Sequence, residues 1–99
     1  MAVDGILLRA TDNVATAVQD LGAGQTATVR LERELKEIKA NEDIPYGHKF
    51  AVMNIKRGED IIKYGEVIGR ATADIGIGCH AHVQNIESLR GRGDLSAEE

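Results

Sequence analysis

The chain has 99 residues, 42% hydrophobic and 28% charged, with a formal net charge of −4. That length suits one globular domain and is too short for two separate cores. Lysines and arginines are scattered from Arg9 to Arg92 with no basic stripe, which argues against nucleic acid as a ligand.

No apolar run approaches the roughly 20 residues of a membrane span, and Met1 to Arg9 lacks the basic-then-apolar layout of a signal peptide. A cytoplasmic protein is the expectation, and the lone Cys79, unable to form an internal disulfide, agrees with a reducing compartment. Phe50, Tyr46 and Tyr64 are the only aromatic residues, so the core is built from Val, Ile, Leu and Ala. Such a core predicts modest stability and a domain that leans on a partner.

Taken in chain order, Val3 to Arg9 reads as a first strand, and Val14, Thr16 and Val18 alternate with Ala15, Ala17 and Gln19 as a second. Thr26 to Leu31 forms a third. In Leu31 to Asn41 a helix competes with a strand: Leu31, Leu35 and Ile38 have helical spacing, while Leu31, Arg33 and Leu35 alternate. Lys49 to Ile55 is a strand, Gly58 a turn, and Ile61 to Lys63 a short strand ending at Tyr64 and Gly65. A last extended segment runs from Cys79 to Ile86. Short strands between glycine turns, with eleven Gly and one Pro, indicate an all-β, barrel-like or clip-like domain over residues 1–86. Residues 87–99 are polar and read as a tail or linker.

A weak internal repeat runs through this pattern. Asp20, Leu21, Gly24 and Val29 share their offsets with Asp43, Ile44, Gly47 and Val52, and again with Asp74, Ile75, Gly78 and Val83. The physical reading is an aliphatic residue entering a turn whose Gly takes positive φ, followed by a strand with Val facing the core. The unequal spacing of the copies excludes a solenoid.

Three clusters could carry chemistry. His80 and His82 flank Ala81, so on an extended strand both imidazoles point to one side, roughly 7 Å apart, and could converge on one divalent metal. The same pattern also describes two surface histidines on an edge strand. His48 follows Pro45 and Gly47 in a turn, where it could act as acid or base, bind a carboxylate, or hydrogen-bond its own backbone. Lys49 beside it is a candidate anion ligand. Lys63 and Tyr64 place a cation and a phenol at a strand end, suited to a carboxylate or hydroxyl, or to packing on the end of the barrel. Cys79 reads as a small buried or interface residue, and Asp12 and Asn13 as turn formers, with a contribution to a ligand site as the alternative. No phosphate loop and no nucleophile elbow is present in the sequence.

Together, Asp12 to Ala15 (DNVA), Ile44 to Lys49 (IPYGHK), Ile61 to Gly69 (IIKYGEVIG) and Gly78 to Asn85 (GCHAHVQN) resemble the amino-terminal domain of the altronate and galactarate dehydratases. The resemblance runs in order over nearly the whole chain. It implies a SAF domain of β-clip fold and favours a strand over the helix in 31–41. It also implies a hydro-lyase that removes a proton next to a carboxylate and water from the following carbon. A sugar acid would be the substrate, and a large catalytic subunit or domain would complete a site in which His48, His80 and His82 are catalytic and Lys49, Lys63 and Tyr64 bind substrate. A divalent metal, iron or manganese, shared with that partner would be held by His80 and His82; a homo-oligomer is compatible with all of this.

Many relatives read Gly-Glu-His-x-His-x-His-Asn where this chain has Cys79 for the acid and Gln84 for the third histidine. Because Gln is a poor ligand for a transition metal, the expectation is that this strand holds no complete three-histidine site. Two further functions stay open: the small subunit of a sulfolactate sulfo-lyase, with sulfite as the leaving group, and a stand-alone module that binds sugar acids.

Overall fold

A computed structural model describes residues 3–88. They form nine strands: β1 (Gly5–Leu7), β2 (Val14–Ala17), β3 (Thr26–Leu31), β4 (Glu34–Lys39), β5 (Lys49–Ala51), β6 (Asp60–Lys63), β7 (Glu66–Ala71), β8 (His80–Ala81) and β9 (Ile86–Ser88). The fold is all-β, as the glycine-punctuated pattern predicts. One sheet has the order β4-β3-β1-β2-β5-β8 and the other β6-β7-β9; β1 and β3 run parallel and every other named pair antiparallel. The competing helix in 31–41 is strand β4, paired with β3 from Thr26↔Lys39 to Leu31↔Glu34.

The repeat is real and has four copies rather than three. Each reads Ala-x-x-Asp/Asn-Leu/Ile-x-x-Gly, beginning at Ala17, Ala40, Ala51 and Ala71. The copy the expected pattern lacks is Asn54–Ile55–Lys56–Arg57–Gly58, where Asn stands in for Asp. Glycines 24, 47, 58 and 78 all have φ between 85° and 92°, the i+2 position of a type II turn closed by a bond such as His48 N–H to the Pro45 carbonyl.

The turns work in swapped pairs. Leu21 and Ile44 exchange both backbone hydrogen bonds, as do Ile55 and Ile75. Asp20 accepts from the Tyr46 N–H while Asp43 accepts from the Ala23 N–H; Asn54 serves Ile77 and Asp74 serves Arg57 in the same reciprocal way. Each turn glycine donates to the buried alanine of its partner copy: Gly24 to Ala40, Gly47 to Ala17, Gly58 to Ala71 and Gly78 to Ala51. An acceptor side chain, a buried aliphatic residue and a left-handed glycine at these offsets are thus what each half requires of the other.

Several boundaries are shorter than the hydrophobic pattern suggests. The expected strand from Lys49 to Ile55 ends at Ala51, because Asn54 and Ile55 belong to the third turn copy. The expected strand from Cys79 to Ile86 is two strands, β8 and β9, around a turn pinned by Asn85, whose amide donates to the His80 carbonyl and accepts from the His82 N–H. Val83, expected to face the core like Val29 and Val52, lies in that turn and is 82% exposed. Glu87 and Ser88, assigned to the tail, continue β9, and the rest of the tail lies outside the described residues.

A single core is not what forms. One apolar cluster gathers Leu7, Ala15, Leu21, Val29, Ile44 and Phe50, and a second gathers Val14, Ala51, Ile55, Ile61, Ile75 and Ala81. Strands β2 and β5 are the wall between them: by the two-residue alternation of a strand, Ala15 and Phe50 face one cluster while Val14 and Ala51 face the other. The lone Phe50 is fully buried against Gly5, where an added Cβ would lie 2.7 Å from its ring.

Candidate functional site

The exit strands of the second and fourth turns, β5 and β8, pair with Lys49 opposite Ala81 and Phe50 opposite His80. One step further along that register His48 faces His82. The three imidazoles therefore stack, with ring centroids 4.0 Å apart for His48 and His82, 5.0 Å for His48 and His80, and 5.4 Å for His80 and His82. One ligand nitrogen from each lies within 4.8 Å of the other two. The strand itself offers only two histidines, as expected from Gln84, and the third imidazole of the group is His48, across the strand pair. Gln84 is instead a neighbour, its Nε2 lying 3.1 Å from His80 Nδ1.

These contacts set proton positions. An amide nitrogen can only donate, so His80 Nδ1 accepts from Gln84 and His80 Nε2 carries the proton it shares with His48 Nδ1, 2.8 Å away. Glu42 accepts from the His80 backbone N–H. His82 Nδ1 is buried and finds no hydrogen-bond partner among the described residues. Burial first, then the neighbouring His48, lowers the pKa of both His80 and His82; Lys49 adds to the effect in both, and Glu42 opposes it at His80. Both rings are thereby held neutral, the form that binds a metal ion or takes up a proton.

His82 also lines an open cleft of about 650 Å³, together with Lys49, Lys63, Tyr64, Val67 and Ile86. One wall comes from β5 of the first sheet and the other from β6, β7 and β9 of the second. The Lys63 ammonium stands 4.7 Å above the Tyr64 ring. Burial, and after it the charge of Lys63, lowers the pKa of Lys49. Two cations and a phenol beside a neutral imidazole make a cleft suited to a carboxylate that also carries hydroxyls.

The structure brings together all six residues singled out from sequence. Cys79 is half-buried, with its Sγ 3.9 Å from the Asn41 amide. Sequence reasoning missed the weight of Asp12 and Asn13. Asp12 is 1% exposed, and its carboxylate accepts from the backbone N–H groups of Leu8, Arg9 and Gly65. Asn13 holds strand β6 as a neighbouring strand would, donating to the Asp60 carbonyl and accepting from the Ile62 N–H. The only signal of this in the sequence is the DNVA motif itself.

Residues 3–89 match the altronate/galactarate dehydratase SAF domain. The chain belongs to this family. Among curated proteins, this SAF domain is 41% identical over 80 residues to altronate dehydratase of Escherichia coli, an alignment covering 81% of this chain and 15% of that protein. It is 33% identical over 93 residues to the (2R)-sulfolactate sulfo-lyase subunit alpha of Chromohalobacter salexigens, covering 91% of this chain and 99% of that subunit. Galactarate dehydratase (L-threo-forming) of Escherichia coli is 46% identical over 65 residues, covering 66% of the chain and 12% of that enzyme. The SAF domain thus spans about 15% of the length of the altronate dehydratase it matches and nearly all of the sulfo-lyase subunit. Among the described residues no helix is long and apolar enough to cross a membrane.

Proposed function

We propose that this SAF domain supplies one face of the active site of an altronate-type hydro-lyase, completed by a larger catalytic subunit or domain in the cytoplasm. The observation that carries the reading is the stacked His48, His80 and His82 cluster opening, through His82, onto the cleft with Lys49, Lys63 and Tyr64. Lys49 and Lys63 neutralise the substrate carboxylate, and Tyr64 hydrogen-bonds an adjacent hydroxyl. That binding acidifies the proton on the carbon next to the carboxylate. His82, held neutral, accepts it at its ring nitrogen and returns it to the hydroxyl that departs from the following carbon as water, and the resulting enol tautomerises to a 2-keto acid.

The donor set also fits a divalent metal: three imidazoles, one with a buried nitrogen that has no other partner, and no carboxylate among the three. Imidazole donors favour iron over manganese, and three protein ligands leave positions open to substrate. Such an ion, when bound, supplies a Lewis acid for the substrate carboxylate and hydroxyl. Loading it requires His48 and His80 to give up the proton they share.

The test is turnover of D-altronate by the assembled enzyme. Replacing His80 and His82 together by Gln leaves the circular dichroism of the SAF domain unchanged and lowers turnover by at least about 100-fold. Unaltered turnover sinks the proposal. The 99% coverage of the sulfo-lyase subunit favours a second reading, in which the same cleft serves elimination of sulfite. Sulfite release from (2R)-sulfolactate, with no keto acid formed from altronate, decides for it.

A further inference from the structure

The cleft is built from two sheets, and what sets its width is not a residue that lines it. Lys49 belongs to β5, which is held in register by Thr16 of β2. Lys63 and Tyr64 belong to the β6–β7 hairpin of the other sheet. Both lead back to Asp12 and Asn13, the two residues immediately before β2. Asn13 ties β6 on through its side chain and through its backbone N–H, which donates to the Ile62 carbonyl at 3.1 Å, at the place where β6 and β7 slip register.

Asp12 ties on the turn itself. Its Oδ1 accepts from the Gly65 N–H at 2.8 Å, and its Oδ2 accepts from Leu8 and Arg9, each at 3.2 Å. Tyr64 sits in the left-handed region at φ 57°, unfavourable for a bulky side chain, with Gly65 following at φ 76°. The two-residue hairpin between the paired Lys63 and Glu66 demands positive φ at both positions, and the Asp12 carboxylate on the next N–H ties that hairpin turn to the loop before β2. A relaxed turn would carry the Tyr64 ring, and with it the Lys63 ammonium stacked above that ring, away from Lys49.

We propose that Asp12, too deeply buried to touch a ligand, is a positioning residue of the cleft. Its carboxylate holds the strained Tyr64–Gly65 turn and thereby sets the separation between Lys49 and the Lys63–Tyr64 pair, which a hydroxy-acid carboxylate spans. The second half of this statement rests on the anion-site reading of the cleft given above; the first half does not.

The experiment uses the 99-residue chain with D-altronate as the probe, followed by amide and side-chain NMR. In Asp12→Asn the Tyr64 ring signals and the Gly65 amide shift without ligand, amide protection at Ile44 and Ile55 is retained, and the altronate Kd rises at least tenfold. Lys63→Ala weakens binding by itself, and the Asp12→Asn, Lys63→Ala double variant binds no more than about twofold worse than the weaker single variant, because Asp12 acts through Lys63. A purely structural role lowers the unfolding midpoint of Asp12→Asn and leaves Kd and the Tyr64 ring signals at their wild-type values; that result overturns the proposal.

If wild type fails to bind altronate, or binds it as well after Lys49→Ala and Lys63→Ala, the anion-site reading falls. The Tyr64 ring signals still decide the role of Asp12 in holding the turn. Should Asp12→Asn not fold, acid titration of the wild-type chain replaces it, with Arg9, Lys63 and Glu66 as the other charges of the two loops and the Glu66 carboxyl followed by its own carbon signal. The Tyr64 ring signals then move with the Asp12 carboxyl carbon, and their failure to do so overturns the proposal.

Discussion

Lys49 shows how a single side chain reports on the cleft. Burial, and then Lys63, make its ammonium less favourable in the folded chain than in the unfolded one, so its pKa falls below the usual 10.5. Between the lowered value and 10.5 the unfolded chain binds more protons, so the penalty is relieved as pH rises through that window. Heteronuclear NMR of the lysine side chains is expected to give Lys49 a midpoint below the usual 10.5, and saturating D-altronate is expected to raise it. At the same scale lies the limit of sequence reasoning about the site. His80 and His82 are legible as a pair because one strand's alternation relates them. His48 is legible only as a turn residue: its ring joins theirs through a strand pairing that spans 32 residues and leaves no local mark.

Among the elements, the turns were the most readable and the strands between them the least. Asp20–Leu21, Asp43–Ile44 and Asp74–Ile75 announce themselves by a repeated offset to glycine, while Asn54–Ile55 hides because the amide oxygen replaces a carboxylate of the same function. Strand β7 was missed: Glu66 to Ala71 contains Gly69 and charged Arg70, a poor strand pattern, yet Gly69 is required because a Cβ there would lie 2.6 Å from the Glu87 carbonyl of β9. The turns also yield a graded prediction. Gly24→Ala has open space around the new Cβ and suffers only the positive φ of 89°, a cost of about 1 kcal/mol. Gly78→Ala has a similar φ of 86°, but its Cβ would stand 2.0 Å from the Lys39 carbonyl, so the backbone must move. Chemical denaturation is expected to show a further loss of about 1–3 kcal/mol there, from steric strain.

Over the whole molecule, the expectation of one core followed from length alone and could not foresee how β2 and β5 divide the interior. Both strands carry apolar residues on both faces, Ala15 and Phe50 on one and Val14 and Ala51 on the other, which reads as an ordinary buried strand until the pairing shows a different cluster on each side. Asn13, directly before β2, joins that dividing strand to β6. Asn13→Ala removes two side-chain hydrogen bonds across that junction and is expected to cost about 2–3 kcal/mol. Amide exchange should show the β6-β7-β9 sheet opening ahead of the larger one, whereas a uniform loss of protection would mean that the two clusters unfold as one unit.

The reciprocity of the turns bears on how the chain folds. Each turn closes its own i to i+3 hydrogen bond, but its glycine N–H and its Asp or Asn side chain find partners only in the other copy, so no short fragment holds a fully bonded turn, and the pairs Leu21↔Ile44 and Ile55↔Ile75 must each close a loop of some twenty residues first. Folding of such a chain is limited by the chance meeting of distant segments and belongs on the millisecond-to-second scale of β-rich domains with non-local pairing. Asp20→Ala and Asp43→Ala, which disable the two sides of one such meeting, are expected to slow refolding to a similar degree in stopped-flow measurements. Unequal slowing would place one turn in the transition state ahead of its partner.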